Sequence, residues 1–81
     1  MPRVNDLIIA PNPCHGEVTL VRSLPGSVKV DVLDLLGRQM LPSFSMQGST
    51  VLPIHDLPPG IYFVRTTDSH RAVTVRRMTV E

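Results

Sequence analysis

Aromatic side chains are scarce: the 81 residues include no tryptophan, one tyrosine and two phenylalanines. That argues against a stacking platform for bases and leaves a core to be built from Val, Leu and Ile. Charge is thin as well, with eight Lys and Arg against seven Asp and Glu, for a formal net charge of +1. A duplex or polyanion binder needs a clustered basic field, and Arg76-Arg77 is a pair rather than a patch. Nucleic acid is therefore set aside as a partner. One cysteine permits no internal disulfide and does not settle the compartment. No apolar run approaches the length of a membrane span, and the opening residues, MPRVND, hold no apolar signal core.

What the chain does have is punctuation. The chain holds eight prolines and five glycines, and most fall in turn signals: Pro11-Asn12-Pro13, Pro25-Gly26, Leu36-Gly37, Gln47-Gly48 and Pro58-Pro59-Gly60, with Asp68-Ser69 a further one. No segment keeps a helical period. Between the turns the pattern alternates, as where Val28, Val30 and Val32 flank Lys29 and Asp31. The expected strands are 7–10, 17–22, 28–34, 39–44, 49–54, 61–67 and 72–80. Pro42 and Pro53 should confine their strands to edges or break them. Val73 and Val75 share one parity and Met78 and Val80 the other, so a bulge near Arg76 is expected to turn both pairs inward. About seven short strands without a helix imply an all-β, immunoglobulin-like antiparallel β-sandwich. Residues 7–81 are read as one domain, and 1–6 as a linker or expression remnant. The whole reads as a piece of a longer exported protein whose export signal lies elsewhere.

The stretch DLPPGIYFVRT, residues 56–66, concentrates the punctuation and the one phenol. Pro58 and Pro59 hold the chain extended, Gly60 permits a tight bend, and Tyr62 enters the next strand. A tyrosine at the start of a late strand in such sandwiches bonds back to the loop before it. Tyr62 and Val64 are expected inside, and Phe63 on the other face.

Chemistry is harder to assemble. Cys14 and His15 are adjacent, and neighbours in extended chain point apart, so a catalytic dyad is not expected. His15, His55, His70 and Asp56 lack the paired close spacing of a structural metal site. No glycine-rich phosphate loop opens a helix. Gly37-Arg38 reads as a hairpin turn with Asp34 as local acceptor. No catalytic, cofactor-binding or metal residue is assigned, no cofactor or small-molecule substrate is expected, and the chain is read as no enzyme.

Several segments share one pattern: Ile9-Ala10-Pro11-Asn12-Pro13, Gly16 to Leu20, Val28 to Arg38, Leu57 to Val64, and Arg77-Met78-Thr79-Val80. Together, from about Ile8 to Glu81, they resemble the C-terminal sorting domain of type IX (Por) secretion substrates. The resemblance implies a non-catalytic signal behind an N-terminal cargo in bacteria of the Bacteroidetes type. The cargo would pass through the periplasm and the outer-membrane translocon to the cell surface or medium. A sortase-like surface peptidase would then remove the module. It also implies motif residues for translocon recognition: Pro11, Asn12 and Pro13, then Gly60, Tyr62 and Val64, then Arg77, Met78 and Val80. The family more often has lysine at the position of Arg77. Arginine keeps the charge but changes the donor geometry.

The alternating tail, residues 72–80, suggests that the final strand adds to a partner's sheet edge. A homodimer through an edge strand or a Cys14 disulfide is a further option. The rival to the sorting signal is an adhesive or spacer immunoglobulin-like module of a secreted enzyme, with its determinants in the loops.

Overall fold

The computed structural model describes residues 7–81; residues 1–6, expected as a linker, lie outside the described residues. The period-two segments form strands β1 (Leu7–His15), β2 (Glu17–Arg22), β3 (Val28–Leu33), β4 (Phe44–Met46), β5 (Ser49–Pro53), β6 (Gly60–Thr67) and β7 (Val73–Val80). They make a two-layer antiparallel β-sandwich, as the alternation requires. One layer runs β1-β2-β5 and the other β4-β3-β6-β7.

The layers meet along one side because β1 serves both. Leu7 to Ala10 pair with β2, and beyond the prolines Cys14 pairs in parallel with Val80 of β7. The register breaks between Ala10 and His15, across Pro11-Asn12-Pro13. Proline supplies no ladder donor, so the ladder is interrupted where the strand changes layer.

The inward parity fills the space between the layers. Val18 and Leu20 from the first layer meet Val30, Val32, Val64 and Met78 from the second, all essentially inaccessible to solvent. Burying each such side chain contributes about 1.5–3 kcal/mol. Tyr62 is buried among them, and Phe63 faces out of the sandwich, half-buried.

Two turns use one device. Asp34 Oδ1 accepts the backbone N–H groups of Leu36 and Arg38, each at 2.9 Å, after β3. Asp68 Oδ1 accepts those of His70 and Ala72, each at 2.8 Å, after β6. Each carboxylate satisfies donors that a tight turn removes from the ladder. Both carboxyls sit below their usual range, chiefly through the backbone N–H of Arg38 and of Ala72, respectively.

Three expectations need correction. The strand expected at 39–44 lies instead at Phe44–Met46, and Gln39 makes only an isolated bridge to Leu33. The segment between is held by side chains. Gln39 Nε2 donates to Leu41 O and Ser43 Oγ, and the Ser43 hydroxyl donates to the buried Asp31 carboxylate. Pro42 in the middle offers no N–H to a ladder. Pro53 behaves as anticipated, at the end of the edge strand β5.

The bulge at Arg76 is absent. Pairing of β6 with β7 runs unbroken from Gly60↔Val80 to Thr67↔Val73. Met78 and Val80 therefore point inward, while Val73 and Val75 point out. Last, β7 is not an edge strand, because β6 flanks it on one side and β1 on the other.

Candidate functional site

The nine motif residues fall on three strands that are neighbours in space. Pro11, Asn12 and Pro13 lie on β1, Arg77, Met78 and Val80 on β7, and Gly60, Tyr62 and Val64 on β6. Gly60 stands opposite Val80, Tyr62 opposite Met78, and Val64 opposite Arg76.

Asn12 makes the join between the first and last strands. Where β1 departs from the ladder, the Asn12 side chain takes the place of a strand's peptide group. Its Nδ2 donates to Arg77 O at 3.0 Å, and its Oδ1 accepts the Thr79 N–H at 3.0 Å. A primary amide suits this position because it carries a donor and an acceptor side by side. One turn of chain later the backbone resumes, with Glu81 N–H donating to Cys14 O at 2.9 Å.

Cys14 and His15 serve this join and face away from each other's chemistry. Cys14 is buried, and its thiol donates to Thr79 O at 3.3 Å. Burial pushes the thiol pKa up, which disfavours the nucleophilic thiolate. The His15 ring lies with Nδ1 3.2 Å from Glu81 O. A disulfide to a second chain would require Cys14 to leave the core. His15, His55 and Glu81 line a cleft of about 240 Å³. Among the described residues, no three His, Cys, Asp or Glu side chains converge as a metal site.

The bend before β6 closes as the sequence implied. The Tyr62 hydroxyl donates to Pro58 O at 2.5 Å. Tyr62, Val64, Met78 and Val80 are all buried. Their side chains build the sandwich and are not offered to a partner. Of the motif residues, Pro11, Asn12, Pro13 and Arg77 remain exposed.

A charged cluster escaped the sequence reading. Asp31 is buried on the outward side of β3, where Arg65 Nη2 donates to its Oδ2 at 3.0 Å. The Ser43 hydroxyl is the main cause of its lowered pKa, with Arg65 adding to it. The register Asp31↔Arg65 was the signal, and it depends on strand pairing that periodicity alone does not supply. Also unforeseen are Leu35 and Leu36, 66% and 80% exposed at the tip of the Asp34 turn.

No curated protein matches the chain. Residues 8–81, nearly its whole length, match the family described as the secretion system C-terminal sorting domain. A seven-strand sandwich, with its first and last motifs clasped through Asn12, is the structure that carries those motifs. The chain belongs to the C-terminal sorting domain family of type IX secretion.

Proposed function

We propose that this module is a non-catalytic address that takes an attached cargo through the type IX outer-membrane translocon. The cargo waits in the periplasm, crosses to the cell surface, and is parted from the module by a sortase-like peptidase. The observation that carries the reading is the convergence of three distant motifs on adjacent strands. Asn12 and Thr79, 67 positions apart, are hydrogen-bonded, so the motifs form one folded unit rather than a string of linear tags.

On this reading the buried motif residues act by holding the shape, and the exposed ones act by contact. Tyr62, Val64, Met78 and Val80 belong to the first group, and half-buried Gly60 joins them through the bend it permits. Pro11, Asn12, Pro13 and Arg77 belong to the second, with Asn12 serving both.

The test is a fusion of residues 1–81 behind a neutral reporter that carries its own inner-membrane signal, expressed in a bacterium with this pathway. The reporter should become accessible to protease on intact cells. A reporter that stays in the periplasm, joined to a folded module, would refute the proposal and leave a spacer module as the alternative.

A further inference from the structure

The main chain at the end of β7 is closed on both sides. β6 pairs along its length, and the opposite edge is taken by Asn12 at Arg77 O and Thr79 N–H. The segment therefore has no free ladder to lend to a partner's sheet, and what it can present is side chains. Those pointing out of the sandwich are Val73, Val75, Arg77 and Thr79, by the parity that buries Met78 and Val80.

These side chains join a wider surface. Across the ladder, Val75 faces Arg65, Val73 faces Thr67, Arg77 faces Phe63 and Thr79 faces Ile61. On β3, Lys29 faces Thr67 and Asp31 faces Arg65. Val73, Val75 and Ile61 are 55%, 46% and 38% exposed, and among the described residues no element covers them.

The charge on this face is one-sided. Lys29, Arg65 and Arg77 stand on it, and because Arg65 is paired with Asp31 at 3.0 Å, Lys29 and Arg77 are the excess. Its carboxylate, Asp31, is buried with its side chain only 3% exposed. The chain's net charge is only +1, so the excess of cations here is matched by a slight excess of carboxylates elsewhere. The outward face of the other layer differs, with exposed Ile8, Val21 and Val51 and the acid Glu17.

We propose that the outward face of the four-stranded layer, centred on Val75 and Arg77, docks on a protein of the secretion machinery whose surface sets carboxylates around an apolar patch. This rests on the sorting function proposed above. The two cations left beside the Arg65–Asp31 pair fall short of the basic clusters of about four to eight that hold anionic lipid. Interspersed valines instead fit a protein surface with an apolar centre and a charged surround. Opposite charge on the partner would speed and orient the encounter.

The experiment uses the reporter fusion with paired substitutions. Lys29→Glu with Arg77→Glu reverses the charge, and Val75→Asp breaks the apolar centre. Val51→Asp on the other layer's face is the control. Surface display should fall about tenfold for the first two, as expected for lost charge complementarity, and hold for the control. Arg77→Lys should retain display. Thermal midpoints of the purified modules check that each variant is folded. Folded face variants that display normally would overturn the proposal. So would binding of the module to anionic lipid vesicles that the charge reversal abolishes, since the partner would then be a membrane. A parent fusion that never reaches the surface would sink both this proposal and the sorting function, whereas normal display of the face variants would sink the face alone.

Discussion

Tyr62 reaches back across the Pro58-Pro59-Gly60 bend, its hydroxyl donating to the carbonyl of Pro58 at 2.5 Å. The phenol thus joins the start of β6 to the loop that delivers it, and its ring fills the core beneath. Tyr62→Phe should keep the packing and lose the bond, at about 1 kcal/mol. Tyr62→Ala should cost about 3–5 kcal/mol, as for other large aromatic truncations. Urea unfolding of the three proteins checks both. Equal loss in the two variants would show that the hydroxyl, not the ring, holds the bend.

Asn12 should be measurable through its effect on a distant amide. Asn12→Ala strips a donor from Arg77 O and an acceptor from Thr79 N–H. A loss of about 1–2 kcal/mol is expected. The Thr79 amide should exchange with solvent faster, while amides in the centre of β3 change only by the global amount. Asn12→Asp keeps the acceptor and sets a carboxylate against a carbonyl, so it should be no better than alanine. Unchanged exchange at Thr79 in both variants would rule out the clasp.

The unbroken pairing of β6 with β7 separates two hydrophobic residues that the sequence alone makes look alike. Met78→Ala should destabilise by about 2–5 kcal/mol, since Met78 is fully buried. Val75→Thr, on the outer face, should stay within about 0.5 kcal/mol. Denaturant midpoints decide. A large loss at Val75 would restore the bulge.

Acid should loosen the sandwich, and Asp31 should account for part of the effect. Its carboxyl is held below the ordinary value, first by the Ser43 hydroxyl and then by Arg65. A carboxyl depressed in the folded state contributes stability that is complete above its unfolded value and lost as pH falls through its folded value. Stability should therefore decline from about pH 5 downward. Asp31→Asn should lower stability at neutral pH and flatten that decline. It should not abolish it, because Asp34 and Asp68 are also depressed. An unchanged acid slope in the variant would exclude Asp31 as a contributor.

Much of this was legible in the sequence because it is local. Alternation at Val28, Val30 and Val32 names a strand and its buried face. Asp34 before Gly37 names a turn, and Tyr62 after a proline-rich bend names a corner. What alternation cannot supply is a partner. Nothing in the spacing of Val73, Val75, Met78 and Val80 says whether the strand runs straight or bulges; the ladder to β6 decides that. Nothing in the tail says that β1 will flank it, because that contact depends on Asn12, 67 positions away from Thr79. The misplaced strand at 39–44 has a similar cause. Gln39, Ser43 and Asp31 satisfy one another through side chains, and such bonds leave no periodic trace. The candidate site was legible as a set of segments with Tyr62 and Val64 turned inward, while the adjacency of those segments emerged only from the fold.

The bond between Asn12 and Thr79 also fixes when the domain can be finished. A ribosome makes β1 first and β7 last, and β6 has no neighbour on one side until β7 arrives. A nascent polypeptide stalled between Thr67 and Val73 would hold six ribbons and an open seam where the seventh belongs. The sandwich thus certifies that translation has run through Val80, and a prematurely ended product would carry no closed label.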